Sequence, residues 1–481
     1  MLCCPLTSLV LGAGESDPEI DAGTRPGWVP RVAAVERESQ TLDFFAGSAG
    51  GVSCRFGGIR RGGGEAVEII YPRVAGIDVG KREVAVAVRT PGEGPGQRRQ
   101  QIRKYRTYYQ VLREMVAWLV EQGVTHVTME ATGVYWKPVF HALCEAEQIE
   151  VLLVNARHVK NVPGRKTDVK DSAWLAQLLE CGLLRGSFIP PKEIAAIREL
   201  TRYRKKLIEE RTRELQRLSS VLEDGGIKID SVASSVTTLS ARDMIEALIA
   251  GERDPRVLAE LARGRMRNKI PDLTMACAGR FGDHHALLAR MHTDQIDHLA
   301  TMIGVLDHRI EEVTDPFAEQ LKLLQSIPGI GERAAQVIIS EIGADMARFP
   351  TAAHLASWAG LCPGNNESAG KHKTGRTRKG NAEVRTILTE CAWSAGRTGT
   401  YVGAQFRRLH RRFGKMGGGK AAIAVAHTLI VIIWHVLHDR ASYLDMGSDY
   451  FTRYHNPEAR KRRLVHDLQS MGYEVTITPA A

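Results

Sequence analysis

Apolar residues alternate with small or polar residues in the first clearly patterned stretch of the chain. An apolar run at 74–77 ends on Asp78, and the valines of 84–88 then alternate with smaller residues. This period of two predicts a pair of strands with a glycine turn between them. A carboxylate at the end of a strand is a common ligand for a divalent metal, but Asp78 alone does not establish a site.

Strand and helix patterns continue to alternate through the following eighty residues. Apolar positions at helical spacing predict a helix over 108–122, and a second helix is predicted over 134–146. Buried strands are predicted at 125–132, which includes Glu130, and at 149–156, whereas 94–100 is predicted to be a turn. Strands separated by helices indicate an α/β domain whose strands are partly parallel.

Helical patterns dominate the rest of the chain. Thr167 is a candidate cap for a helix that ends at Gly182, and a long charged helix is predicted over 192–223. The basic residues of this long helix fit two interpretations: a solvated face with ion pairs one turn apart, or a coiled-coil arm that contacts a partner. Residues 225–320 are predicted to be mostly helical, with 266–290 less regular.

Five segments follow from these patterns. Residues 1–70 are rich in Gly, Ser, Pro and Arg without periodicity, which predicts a disordered extension. The predicted segments are this extension at 1–70, an α/β domain at 73–187, a helical or coiled-coil segment at 188–320, a mainly α C-terminal domain at 321–440, and a polar basic tail at 441–481.

Composition narrows the kind of partner rather than the fold. The chain has 481 residues, 43% of them hydrophobic and 25% charged, and a net charge of +10. A basic chain favours an anionic partner, with nucleic acid first among them. Cysteines at zinc-site spacing and a basic signal-peptide start are lacking, and the apolar run 421–437 is interrupted by His and Thr. We therefore expect a cytoplasmic protein in which that run is a buried helix rather than a membrane span.

Four carboxylates form the first candidate site: Asp78, Glu130, Asp168 and Asp171. Asp78 and Glu130 end predicted strands, while Asp168 and Asp171 are three residues apart on a predicted helix and share a face. Acids held this close repel one another unless cations neutralise them, and carboxylate oxygens suit Mg²⁺ or Mn²⁺. A pair of such ions would support phosphodiester chemistry. The alternative is that these acids are helix caps and surface charges.

Two further stretches suit phosphate groups. Gly329 and Gly331 precede a predicted helix whose first N–H groups could bind a phosphate, as in helix–hairpin–helix motifs, although a tight turn between helices also needs glycine. The segment 361–381 lacks hydrophobic periodicity and is either a functional phosphate-binding loop or a disordered basic loop. Ser368 lies near its start, ahead of the cations Lys371, Lys373, Arg376, Arg378 and Lys379.

These motifs together resemble a known family. The stretches 76–81, 129–136 and 165–176 resemble the N-terminal DEDD domain of transposases of the insertion sequence 110 (IS110) family. The stretches 327–343 and 356–385 resemble the C-terminal transposase domain of that family. The resemblance covers residues 74 to 400 and leaves the first 70 residues outside.

The resemblance implies a fold and an activity. The N-terminal domain would be RNase H-like, related to the RuvC resolvase, and its acidic tetrad Asp78, Glu130, Asp168 and Asp171 would bind Mg²⁺ or Mn²⁺. Ser368 would be the nucleophile that forms a phosphoserine link to DNA. The active site would be shared between subunits of a homo-oligomer, a dimer or tetramer. A structured noncoding RNA would guide the choice of DNA in the bacterial host, where the protein would associate with the nucleoid.

Two other functions remain open from the sequence. A RuvC-like structure-specific endonuclease would hydrolyse DNA with the acids and use Ser368 only as a phosphate contact. A nucleic-acid-binding protein without catalytic activity would use the basic segments alone.

Overall fold

The computed structural model describes most of the chain from residue 69 onward. The described ranges are 69–94, 96–131, 133–155, 159, 171–184, 186–364, 367–368, 371–372, 375–415, 417–453 and 457–477. The predicted disordered extension, residues 1–70, lies outside this part of the chain except for its last two residues.

A five-stranded mixed sheet forms the N-terminal domain. Its strands are β1 (Val74–Val79), β2 (Glu83–Pro91), β3 (Arg98–Arg106), β4 (His126–Glu130) and β5 (Glu150–Val154). They lie in the order β3-β2-β1-β4-β5, with antiparallel pairs on the β3 side of β1 and parallel pairs on the β5 side. The predicted α/β domain with partly parallel strands is therefore confirmed.

Helices cover both faces of this sheet. They are α1 (Tyr109–Glu121), α2 (Trp136–Leu143) and α3 (Asp171–Glu180). Ile77, Met129 and their same-face neighbours pack with α1 and α2 in one apolar core, whereas Val74 and Ala87 pack with α3 on the other face. Because side chains alternate between faces along a strand, Gly76 and Asp78 share the α3 face with Val74.

Gly76 allows α3 to lie directly on β1. A Cβ atom at residue 76 would stand 2.2 Å from the carbonyl oxygen of Ser172 and 2.4 Å from the amide nitrogen of Ala176. Both are backbone atoms of α3, so no side-chain rotation could relieve the clash. The first turn of α3 is therefore held against the strand two residues before Asp78.

The prediction of a turn at 94–100 is wrong for its last three residues, 98–100. Residues from Arg98 onward already belong to β3, which pairs with β2 in the register Pro91↔Arg98 to Glu83↔Arg106. The nine residues of β3 include five cations and a single aliphatic side chain, Ile102, so they lack the apolar alternation by which a strand is recognised. Cross-strand hydrogen bonds with β2 supply the stability that apolar burial does not.

Two long helices form an antiparallel hairpin in the middle of the chain. The first, α4 (Lys192–Asp224), confirms the predicted long helix, and it is followed by α5 (Ile229–Val232), α6 (Leu239–Ile249), α7 (Pro255–Glu260), α8 (Ile270–Ala276) and α9 (Asp283–Thr314). Leu207 packs on Leu299 and Ile303, while Arg204 donates to Asp307 at 2.9 Å. The apolar stripe of α4 thus packs on another helix of the same chain. The predicted solvated face with ion pairs one turn apart is present at Arg213 with Glu210 and at Arg217 with Glu214.

Helices also build the C-terminal part. They are α10 (Ala318–Gln325), α11 (Glu332–Ile342), α12 (Ala352–Trp358), α13 (Ala382–Ala395), α14 (Tyr401–Phe413), α15 (Gly418–Asp439), α16 (Tyr450–Arg453) and α17 (Pro457–Ser470). By length and composition α15 could cross a membrane, but 72% of its apolar window is buried inside the protein. Trp434 of α15 donates to the carbonyl of Phe349 at 2.9 Å. The predicted buried helix over 421–437 is confirmed.

The contact at Gly76 predicts a large effect of one methyl group. We expect Gly76→Ala to lower the free energy of unfolding by about 3 kcal/mol, because α3 must move away from β1. Urea unfolding followed by circular dichroism measures the change. Gly419→Ala is the matched control, since a Cβ there meets nothing within 4 Å. Equal unfolding midpoints for the two variants would contradict this account of the contact.

Candidate active site

Two of the predicted metal ligands lie side by side at the C-terminal ends of two adjacent strands of the sheet. The parallel register pairs Ile77 with Met129, so the next residues, Asp78 and Glu130, are neighbours on adjacent strands. Adjacent strands are about 4.8 Å apart, and residues opposite each other point to the same face. The fold therefore brings these two carboxylates together on the face that α3 covers.

The third acid, Asp171, lies at the first residue of α3. The carbonyl of the next residue, Ser172, is the backbone atom that approaches Gly76 most closely, so Asp171 lies near the same end of β1. Asp168 lies outside the described residues. Among the residues that are described, Asp78, Glu130 and Asp171 do not form a cluster with all ligand atoms within 4.8 Å. Their donor type, carboxylate oxygen, nevertheless fits Mg²⁺ or Mn²⁺.

A different group of possible metal ligands does lie within 4.8 Å of one another, but hydrogen bonds show that it caps a helix. Asp224 ends α4, and His284 and His285 lie in the first turn of α9. The Gly282 amide donates to Nδ1 of His285 at 3.1 Å, so Nε2 carries the proton shared with Asp224 at 3.0 Å. This hydrogen bond also holds the pKa of the Asp224 carboxyl below its usual value. Both nitrogens of His285 thus close the helical hairpin.

The predicted basic loop contains a paired ribbon of backbone. Pro363 pairs with Thr377, and the two short strands β6 (Glu367–Ser368) and β7 (Lys371–His372) pair antiparallel. Ser368 pairs with Lys371, the last pair before the two strands are joined. In the described part of this segment, hydrogen bonds between its two sides take the place of the missing hydrophobic periodicity.

The ribbon presents its described cations to solvent. Arg376, Arg378 and Lys379 are exposed, whereas Lys373 lies outside the described residues and Lys371 is described through its backbone pairing. Three exposed cations on one short arm suit contact with phosphate groups.

The base of the ribbon is closed by two glycines and an asparagine. A Cβ at Gly380 would stand 2.3 Å from the amide nitrogen of Gly360, so the two sides touch through backbone alone. Asn381 caps α13 by accepting from the amides of Glu383 and Val384 at 3.0 and 3.1 Å. Its amide nitrogen donates to Glu341 at 2.7 Å, which ties the ribbon to α11.

Glu341 is a fully buried carboxylate with cations supplied by α4. Arg202 donates to both of its oxygens at 2.7 and 2.9 Å, and Arg198 donates to the Glu341 carbonyl at 2.7 Å. Burial lowers the pKa of Arg198, while the hydrogen bond to Glu341 raises that of Arg202. Neither Glu341 nor Asn381 was predicted from the sequence, since a lone acid in an apolar helix carries no pattern that identifies its partners.

The two glycines of the predicted phosphate motif differ in their surroundings. Gly329 has φ +88°, and a Cβ there would stand 2.5 Å from the carbonyl oxygen of Cys391, so close packing on α13 requires glycine. Gly331 is the N-cap residue of α11 and has open space around it. The tight-turn interpretation therefore accounts for Gly329, and only Gly331 keeps the geometry of a phosphate contact.

Comparison with known proteins assigns the family. Residues 75–225 match the DEDD transposase model for IS110, and residues 321–407 match the model of the IS116/IS110/IS902 transposase family. The chain belongs to the IS110 family of transposases.

Individual relatives show the same similarity, two of the three below over more than half of the chain. The Sinorhizobium fredii protein y4qE, a candidate transposase, is 25% identical over 73% of this chain and 78% of its own length. The 44.8 kDa protein of insertion element IS116 from Streptomyces clavuligerus is 23% identical over 61% of this chain and 79% of its own length. The pilin gene-inverting protein of Moraxella bovis is 31% identical over 31% of this chain and 48% of its own length.

The buried ion pair makes a testable prediction. We expect Glu341→Gln to lower the free energy of unfolding by about 3 kcal/mol, because Arg198 and Arg202 lose their carboxylate in a partly desolvated setting. The urea unfolding midpoint measures the loss. Glu312→Gln is the control, since Glu312 forms an exposed pair with Arg309 and should leave the midpoint unchanged. A midpoint for Glu341→Gln that matches the native protein would refute a stabilising role for this pair.

Proposed function

We propose that this protein is a DNA transposase that cuts and rejoins strands through a covalent link between Ser368 and a DNA phosphate. The observation that supports this most is the pairing of Asp78 with Glu130 at one sheet edge. A separate basic ribbon holds Ser368 in its last backbone pair. Family membership supports DNA as the substrate, and the RNase H-like relationship of the sheet to RuvC is part of the proposal.

The chemistry assigns distinct tasks to the two groups. The hydroxyl oxygen of Ser368 loses its proton to solvent and attacks the scissile phosphorus, and a phosphoserine bond forms. The bond from phosphorus to one deoxyribose oxygen breaks, and that oxygen leaves with the electron pair and takes up a proton from solvent. The exposed cations Arg376, Arg378 and Lys379 would neutralise phosphate charge that increases during attack. Asp78, Glu130, Asp168 and Asp171 would hold Mg²⁺ or Mn²⁺, which would supply charge stabilisation for the attacking and leaving oxygens.

Rejoining explains why a serine ester is useful. The phosphoserine bond conserves the energy of the phosphodiester, so a DNA hydroxyl can later displace the serine without another energy source. Hydrolysis by water would lose that energy and leave a break. We further propose that acids and serine come from different subunits of a homo-oligomer and that a structured RNA selects the DNA.

The acid pair also supports a second function. Asp78 and Glu130 are placed by the sheet alone, without any contribution from the ribbon. A RuvC-like nuclease with the same acids would hydrolyse DNA and would need Ser368 only for binding.

Denaturing gels separate these functions. The protein is incubated with end-labelled DNA that carries the element ends, the transcribed noncoding RNA and Mg²⁺. We expect a covalent protein–DNA adduct that Ser368→Ala reduces by at least about 1,000-fold, because the attacking oxygen is lost. Asp78→Asn should remove both adduct and cleavage.

Matched variants control for unspecific damage. Ser234→Ala and Asp272→Asn replace exposed residues of the helical segment and should retain the adduct. Cleavage without an adduct that persists in Ser368→Ala would favour the nuclease. DNA binding without cleavage in the native protein would contradict both enzymatic functions.

A further inference from the structure

Strand β3 carries an unusual concentration of positive charge at the edge of the sheet. Its nine residues, Arg98 to Arg106, include five cations and no acid. The strand order places β3 at one end of the sheet, with β2 as its neighbour. Cations on an edge strand also discourage pairing with other chains. That protective role does not depend on which face or which end of the strand carries the cations, so it does not explain their position.

The register places one of these cations level with the acid pair. Asp78 pairs with Ala85 across β1 and β2, and Ala85 pairs with Lys104 across β2 and β3. Residues that pair in this way point to the same face, so Lys104 lies about 10 Å from Asp78 on the face that carries Glu130. The residue between them, Ala85, has only a methyl group and is partly exposed.

Other cations lie at the same end of these strands. Arg106 pairs with Glu83, and Lys81 and Arg82 occupy the connection between β1 and β2. Thr107 holds this connection through hydrogen bonds to the carbonyls of Lys81 and Arg82 at 2.9 and 3.2 Å. All four cations are exposed, and we refer to Lys81, Arg82, Lys104 and Arg106 as the basic edge.

Two other cations of β3, Arg98 and Arg103, contact groups within the fold. Arg98 donates to the carbonyl of Pro72 and pairs with the buried Glu180. Arg103 lies on the opposite face, with its guanidinium 4.5 Å from the ring centroid of Trp118. On the face that carries Asp78, the exposed cations of β3 are therefore Lys104 and Arg106, at the end of the strand that lies level with the acids. Arg99 and Arg103 are exposed on the opposite face.

The acid that contacts the basic edge is readily replaced. Lys104 pairs with Glu83 at 2.5 Å, and both side chains are more than half exposed. The hydrogen bond from Lys104, with a smaller contribution from Arg106, keeps the pKa of Glu83 below its usual value. An exposed pair of this kind is weak, so a phosphate can take the place of the Glu83 carboxylate at little cost.

We propose that the basic edge binds the backbone of the DNA strand that is cut. The strand would cross the sheet from Asp78 and Glu130, over Ala85, to Lys104 and Arg106, and these contacts would hold the scissile phosphate at the acids. This inference depends on the proposed function for the identity of the substrate, since it takes DNA as the occupant of this surface.

Salt-dependent binding tests the surface without requiring catalysis. The full chain is titrated with a fluorescent DNA of the element end in EDTA, at several salt concentrations. We expect Lys104→Ala/Arg106→Ala to reduce the slope of log affinity against log salt by about 2, since each lost phosphate contact removes about one unit. Affinity at 0.1 M salt should fall by about tenfold.

Two double variants serve as controls. Arg99→Ala/Arg113→Ala removes the same charge from the opposite face of the sheet, where α1 lies, and should keep the native slope. Lys104→Arg/Arg106→Lys keeps both charges and should also show the native slope. An equal loss of slope in the opposite-face variant, or no loss in Lys104→Ala/Arg106→Ala, would overturn the inference. A loss confined to binding of the noncoding RNA would do so as well.

The outcome is independent of the adduct assay. An adduct in the native protein together with an unchanged slope in Lys104→Ala/Arg106→Ala rejects the basic edge and leaves the proposed function intact. A reduced slope without any adduct or cleavage supports the basic edge as a DNA-binding surface and rejects the proposed chemistry.

Discussion

The carboxylate of Glu341 is the charge around which the C-terminal part is organised. A buried carboxylate loses its hydration and is stable only when cations and hydrogen-bond donors replace the water. Here Arg198 and Arg202 come from α4, and Asn381 comes from the base of the ribbon. One desolvated group therefore joins the long helix, α11 and the segment that carries Ser368. Loss of this charge would affect the position of all three elements at once.

A second constraint is steric and acts on the acid pair. The backbone of α3 occupies the space that a side chain at Gly76 would need. That contact places the start of α3, and with it Asp171, close to the end of β1. The parallel register of β1 and β4 adds Glu130 beside Asp78. Three separate segments that carry carboxylates thus have their ends near one another, because one glycine permits close approach of a helix and one register aligns two strand ends.

The net positive charge of the chain is divided between two roles. Arg198, Arg202 and Arg204 pair with acids within the protein, so these pairs add little net charge to the field that a polyanion meets. The exposed cations of the ribbon and of the basic edge lie at the surface, where a phosphate group can reach them. A charge count of +10 treats all of these as equivalent, although their environments differ completely. Association with DNA depends on the exposed group alone.

Much of the local structure follows from the sequence because it rests on short-range periodicity. The ends of β1 and β4, with their acids, and the span of α4 are set by side chains within a few residues of each other. The order of motifs was enough to indicate the IS110 family.

Tertiary structure decided what depends on partners distant in the chain. Polar residues of β3 form a strand because β2 supplies hydrogen-bond partners, and the serine segment is a ribbon because its two sides pair. Arg198 and Arg202 of α4 bind Glu341, which lies more than a hundred residues away in sequence and beside them in space. No local pattern encodes these partners, because the path of the chain in the folded protein decides which distant residues lie close enough to form such hydrogen bonds and ion pairs.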